Sequence, residues 1–184
     1  MIDAAIAAGV TDIGENYVQE ASTKRADVKH IARWHMIGHL QRNKAARALE
    51  LFDDIQTVDN AALGEALNRH GAMRHRPISI LIEVNVGGEQ SKRGTAPGTL
   101  TELLAGLRTL PHVRVDGLMT IPPPGAPEAT RPFFRRLREL RDQHGLAELS
   151  MGMTDDFEVA IEEGATMIRV GRAIFGERTR PPRA

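Results

Sequence analysis

Three consecutive segments decide the fold: ISILIEVNV at positions 78–86, TLTELLAGLRTL at 99–110 and VRVDGLMT at 113–120. The first and the third are short apolar runs that predict strands, and the second has a helical pattern. A strand, a helix and a second strand in this order predict a parallel β-α-β unit, with the helix packed on the sheet.

The same alternation of strand and helix patterns continues in both directions along the chain. Further strands are predicted at 11–16, 34–38, 54–58, 148–151 and 166–171. Further helices are predicted at 2–8, 18–28, 44–51, 61–69, 131–144 and 155–163, the first of them ending at Gly9. Seven strands that alternate with helices imply an α/β protein with a parallel sheet covered by helices.

The ends of the strands favour a TIM-type (β/α) barrel over a doubly wound sheet. Each predicted strand runs into a polar residue or a glycine: Asn16, His39, Asp59, Asn85, Thr120, Thr154 and Gly171. In a barrel all these ends meet at one face, where such proteins place their sites, whereas an open sheet needs them only at its switch point. Polar residues also end strands because loops contact water. No G-x-G-x-x-G follows any strand, so we expect one barrel domain over residues 1–184.

The composition narrows the classes of protein and of partner. The chain has 184 residues, 24 Lys and Arg against 24 Asp and Glu, and no cysteine. Zero net charge gives no electrostatic reason to expect nucleic acid or an anionic membrane as a partner. The absence of cysteine excludes disulfides and thiolate zinc sites, and the histidines show no metal-ligand spacing. We therefore expect a soluble, cytoplasmic protein with no metal and no membrane segment.

The chain starts with a helix pattern, whereas a barrel of this type starts with a strand. Seven strands in 184 residues suggest that the first strand is missing and that the barrel is N-terminally incomplete. The two strands beside the gap would then have unpaired edges, so we expect possible self-association through them.

Six motifs, taken together, resemble the pyridoxal phosphate homeostasis protein family. They are GENYVQE at 14–20, WHMIGHLQRNK at 34–44, VNV at 84–86 with EQSKRG at 89–94, GLMTI at 117–121, LSMGMTDD at 149–156 and RVGRAIFG at 169–176. The resemblance runs from about residue 2 to residue 178. It implies a barrel like the N-terminal domain of alanine racemase that binds pyridoxal 5′-phosphate (PLP).

The segment 150–155 has the features of a phosphate site. A phosphate dianion is bound by backbone N–H groups, hydroxyls and a helix start, and the segment supplies these at Ser150, Gly152, Met153 and Thr154. Gly171 and Arg172 follow the last strand and add a close backbone approach and a positive charge. The alternative for the segment is a capping box in which Asp155 caps the helix and Glu158 completes the box.

Arg169 shares one face of its strand with Met167 and Gly171, so it is predicted to point into the barrel. A guanidinium there needs a partner, and the alternative to a site role is a salt bridge to an inward carboxylate. The resemblance implies that Arg169 faces the pyridine nitrogen of PLP and keeps it unprotonated. Asn16 is a further candidate for the ring hydroxyl or the pocket wall; alternatively it closes the strand–helix loop.

Family members carry the lysine that bonds PLP on a strand upstream of this chain's first helix, so no residue here inherits that role. None of the four lysines (Lys24, Lys29, Lys44 and Lys92) is expected to replace it. We predict a non-catalytic, PLP-binding protein that buffers or delivers the cofactor. The alternatives are an amino-acid racemase-like enzyme and a truncated, inactive fragment.

Overall fold

All seven predicted strands are present in the computed structural model, which describes residues 1–74, 76–89 and 91–176. The strands are β1 Asp12–Glu15, β2 Arg33–Met36, β3 Asp54–Val58, β4 Ile78–Glu83, β5 Val113–Met119, β6 Glu148–Met153 and β7 Met167–Arg169. The α-helices are α1 Ile2–Ala7, α2 Val18–Ala26, α3 Ala45–Leu51, α4 Ala61–Gly71, α5 Leu100–Arg108, α6 Pro127–Gln143, α7 Phe157–Glu162 and α8 Arg172–Phe175. Short 3₁₀ turns, Arg42–Lys44 and Pro97–Thr99, precede α3 and α5.

The strands form one parallel sheet in the order β1-β2-β3-β4-β5-β6-β7. A doubly wound sheet would change direction part-way, so the sequential order confirms the predicted TIM-type architecture. The sheet curves into a nearly closed barrel. Contacts across its interior show this: Gln56 on β3 contacts Ser150 on β6 at 2.7 Å and Met167 on β7 at 3.5 Å. β1 and β7 lie at the two edges of the sheet.

The main hydrophobic core lies between the sheet and the helices around it. The outward side chains of the strands, such as Trp34, Ile80 and Leu149, pack against helix residues such as Leu67 and Phe134, and all five are buried. The interior of the barrel is different because it contains many polar side chains. These polar side chains shape the candidate functional site.

Two helix starts differ from the prediction. α6 begins at Pro127 rather than at residue 131, because proline has the φ angle that the first turn of a helix needs. α7 begins at Phe157, with Asp156 as its N-cap residue. The alternative, a capping box at Asp155, is therefore wrong: Asp155 contacts Arg172, and Asp156 accepts a hydrogen bond from the backbone N–H of Met153 at the end of β6.

In the described part of the chain, no helix is long and apolar enough to cross a membrane. No cluster of three or more His, Asp or Glu residues suited to a metal ion is found among these residues. The single-domain boundaries and the cytoplasmic location stay predictions.

Candidate functional site

Arg169 lies at the centre of the candidate site, near the carboxyl end of β7. Its Nη1 donates to Ser150 Oγ at 2.7 Å, and its Nη2 donates to the backbone oxygen of Thr120 at 2.8 Å. Ser150 lies on β6 and Thr120 directly follows β5, and both residues are fully buried. The guanidinium is thus held by two neutral acceptors at fixed places in the barrel.

The expected alternative for Arg169, a salt bridge to an inward carboxylate, is not what the structure shows within the described residues. β7 is an edge strand, so Arg169 as a residue is partly exposed, but its guanidinium lies deep among protein atoms. Burial lowers the pKa of Arg169 to about 10, and the carboxylates of Asp156 and Glu83 act in the opposite direction. The side chain therefore remains charged at pH 7 and can only donate hydrogen bonds.

The loops after β6 and β7 come together at the same end of the barrel. Arg172 Nη2 lies 2.5 Å from Asp155 Oδ2, a contact that joins the two loops. The backbone N–H groups of Thr154, Gly171 and Arg172 have no hydrogen-bond partner among the described residues. These three donors belong to exposed or half-buried residues, so an anion could reach them.

Two of the predicted phosphate residues are already engaged within the protein. The N–H of Met153 donates to Asp156 Oδ1 at 2.7 Å, and the Ser150 hydroxyl faces the barrel interior, where it donates to Gln56 Oε1 at 2.7 Å. Gly152, one residue before the end of β6, has φ +87°, and a Cβ there would lie 2.5 Å from Ala160 Cβ. Its role in the structure is to let β6 approach α7.

Asn16 lies apart from the other candidates. It follows β1, at the opposite edge of the sheet from β7, and is half-buried. Its backbone packs so closely on Gly38 that a Cβ at Gly38 would lie 2.2 Å from the Asn16 oxygen. The structure therefore places Asn16 at the carboxyl end of β1, with no hydrogen bond to Arg169.

Glu83 is a further candidate site residue that sequence analysis missed. On β4, Ser79 and Leu81 line the barrel interior, and Glu83, two residues further along, lies on the same face. It is 7% exposed, and no described group makes a hydrogen bond or an ion pair with its carboxyl. Burial raises the pKa of Glu83 to about 7. The Asp59 carboxylate acts in the same direction, and Arg169 acts against it. The alternation along the strand was the available signal.

The four lysines all lie outside the barrel interior. Lys24, on α2, contacts Glu15 Oε1 at 2.7 Å and Glu20 Oε2 at 3.1 Å, and Lys29, Lys44 and Lys92 are exposed. None of the four lysines lies on a strand of the barrel.

Comparisons with known proteins match this geometry to a family. A family model described as the alanine racemase N-terminal domain matches residues 1–179. A protein of Aquifex aeolicus, named pyridoxal phosphate homeostasis protein, is 46% identical over 178 residues, covering 92% of this chain and 78% of its own. The chain belongs to the pyridoxal phosphate homeostasis protein family. Another member, from Escherichia coli K12, is 38% identical over 184 residues and covers 95% of this chain and 79% of its own.

Solved structures agree with the family assignment. PipY of Synechococcus elongatus, solved without PLP, has a TM-score of 0.87 and 39% identity, and the match covers 95% of this chain and 86% of PipY. The structure of PipY with PLP bound has a TM-score of 0.85 at the same identity. Alanine racemase of Clostridium difficile, at a TM-score of 0.70 and 10% identity, shares the fold. The expected fold and family are therefore confirmed.

Proposed function

We propose that this chain binds PLP non-covalently at the carboxyl ends of its strands and takes part in PLP homeostasis as a buffer or carrier of the cofactor. The observation that carries the proposal is the Arg169 guanidinium, fixed by two neutral acceptors near the carboxyl end of β7. The PLP-bound structure of PipY and the names of the related proteins support it.

The loop residues fit the phosphate group of PLP. The free N–H groups of Thr154, Gly171 and Arg172 are donors of the kind that phosphate oxygens accept from. The Arg172 side chain adds a positive charge once it leaves Asp155. We assign these three residues to direct phosphate contacts, with Gly152 and Met153 shaping the loop around them.

The barrel interior fits the ring of PLP. A charged guanidinium donates hydrogen bonds and accepts none, so Arg169 can bind the pyridine nitrogen only when that nitrogen is unprotonated. PLP supplies an electron sink for reactions of amino acids, and an unprotonated ring is a poorer sink. Arg169 therefore favours storage of the cofactor over catalysis, with Ser150 supporting Arg169 and Asn16 lining the far wall.

The role of Arg169 can be tested by titrating the chain with PLP and following absorbance and fluorescence. The Arg169→Met variant should bind PLP at least tenfold more weakly than wild type, because a charge-assisted hydrogen bond is worth about 1.5–3 kcal/mol. Arg136→Met, which removes an exposed arginine on α6, should bind as wild type does. Equal affinities for all three proteins would contradict the proposed site.

Borohydride reduction after PLP treatment, followed by mass spectrometry, tests the non-covalent mode. We expect no stoichiometric pyridoxyl adduct, because none of the lysines lies in the interior. An adduct on Lys44 or Lys92 would show that a substitute anchor exists. The same PLP-loaded sample should leave L-alanine unchanged in a racemisation assay, and turnover would favour the racemase-like alternative instead.

We also infer that the chain associates through the edges of its sheet. β1 and β7 end the sheet and expose backbone groups that another strand can pair with. Sedimentation velocity over a range of concentrations should show dimers or larger species, and Ile168→Lys on β7 should reduce them. A monomer at all concentrations would contradict this inference.

A further inference from the structure

A continuous series of polar contacts crosses the barrel interior, starting at Arg169. Arg169 Nη1 donates to Ser150 Oγ at 2.7 Å, and Ser150 Oγ donates to Gln56 Oε1 at 2.7 Å. Gln56 Nε2 lies 3.0 Å from His35 Nδ1. The four side chains come from β7, β6, β3 and β2, so the series joins opposite walls of the barrel.

The middle members of the series are shielded from water. Ser150 is 0% and Gln56 is 2% exposed, so neither can exchange its partner for solvent. A serine hydroxyl has one hydrogen, and here Gln56 Oε1 accepts it. The lone pairs of Ser150 Oγ are therefore turned toward Arg169, which needs an acceptor.

The far end of the series is held by charged groups. His35 Nδ1 lies 2.5 Å from Asp54 Oδ1, and His35 Nε2 lies 2.7 Å from Asp12 Oδ1. Arg33 Nε donates to the other oxygen of Asp54 at 2.7 Å. Burial acts to lower the pKa of His35, but the hydrogen bonds to Asp54 and Asp12 raise it above its ordinary value. Both ring nitrogens thus donate to carboxylates, which holds the imidazole in place, and the Gln56 amide packs against the ring, with 3.0 Å between Nε2 and Nδ1.

Two carboxylates near Arg169 are alternative partners for its guanidinium. The carboxylates of Glu83 and Asp156 are close enough to act on the pKa of Arg169, but neither forms an ion pair with it. An arginine held only by the Thr120 oxygen would be free to rotate toward one of them. The Ser150 hydroxyl supplies the second acceptor, so both Nη groups are bonded to neutral oxygens.

We infer that Gln56 and Ser150 are positioning residues that aim the Arg169 guanidinium at the ring nitrogen of bound PLP. This inference rests on the proposed function, because it assigns the aim of Arg169 to the two side chains behind it. Gln56 acts through Ser150 and does not itself need to touch the cofactor.

The test compares two ligands, PLP and the analogue in which C–H replaces the ring nitrogen. Gln56→Met keeps the length of the side chain and removes its amide, and we expect it to weaken PLP binding about tenfold, the effect of one lost buried hydrogen bond. The analogue has no ring nitrogen to bind, so its affinity should be the same for Gln56→Met and wild type. Gln56→Glu retains an acceptor for the Ser150 hydroxyl and should stay within threefold of wild type for PLP. Gln19→Met, on the exposed face of α2, is the matched control.

The outcomes separate positioning from general damage. Equal loss for PLP and the analogue would assign Gln56 a purely structural role, and no loss for either would also overturn the inference. Should Gln56→Met fail to fold, as judged by circular dichroism, Ser150→Ala replaces it with the same expected pattern. Failure of wild type to bind PLP would contradict the proposed function and leave the positioning claim to a second measurement.

That second measurement needs no ligand. The NMR signals of the Arg169 guanidinium, assigned by their loss in Arg169→Lys, should show slow rotation in wild type because both Nη groups are held. Rotation should become fast in Gln56→Met and in Ser150→Ala. Fast rotation already in wild type, or slow rotation in both variants, would overturn the positioning role.

Discussion

Replacing Glu83 by glutamine should stabilise the protein at neutral and alkaline pH. Glu83 is 7% exposed, and burial raises the pKa of its carboxyl from 4.5 to about 7. Glutamine has nearly the same shape and no charge. The variant therefore removes the cost of ionising a carboxyl inside the barrel.

The size and the pH range of the effect follow from proton linkage. Below pH 4.5 the carboxyl is protonated in both the folded and the unfolded chain and has no effect. Between pH 4.5 and about 7 the unfolded chain loses the proton first, so wild type loses stability as the pH rises. Above pH 7 the full difference remains, which is about 3 kcal/mol at 1.36 kcal/mol per pKa unit.

Urea unfolding at pH 4.5 and at pH 8.5 measures this difference directly. Glu83→Gln should match wild type at pH 4.5 and gain up to about 3 kcal/mol in free energy of unfolding at pH 8.5. Glu65→Gln, at an exposed position on α4, should show no such pH-dependent gain. An equal change at both pH values, or a loss of stability at pH 8.5, would refute the reasoning.

Three further predictions concern the folded state. His35→Asn should lower the free energy of unfolding more at pH 6 than at pH 9 in the same urea assay. A raised histidine pKa stabilises the fold below pH 6.5, and this contribution is lost as the pH rises through the folded pKa. A cost that does not depend on pH would contradict this prediction. Gly152→Ala should lower stability by about 3 kcal/mol because of its positive φ and the Ala160 contact, whereas Gly98→Ala, which meets no atom within 4 Å, should change it little. Phe134→Ala should cost about 3–5 kcal/mol, since the ring is fully buried, and a change below 1 kcal/mol in thermal or urea unfolding would show that α6 does not close the core.

Much of the fold could be predicted because its signals are local in the sequence. The positions of all seven strands, the helices between them and the turn at Gly9 follow from apolar spacing and from glycine and proline. The polar residues at the strand ends also predicted a site at the carboxyl ends of the strands. The start of α6 at Pro127 and the N-cap at Asp156 were missed, because helix ends depend on backbone geometry that several residue types can satisfy.

The sequence by itself determined the alternation of strands and helices, the inward direction of Arg169 and the family to which the chain belongs. It could not reveal which inward side chains meet. Gln56 and Ser150 are 94 residues apart, and Glu83 and Arg169 lie on different strands, so only the closing of the sheet brings these groups together. Alternation along a strand assigns a side chain to a face, but its partners across the barrel depend on the register and curvature of strands distant in sequence. The polar series behind Arg169 and the buried position of Glu83 therefore exist only in the folded barrel.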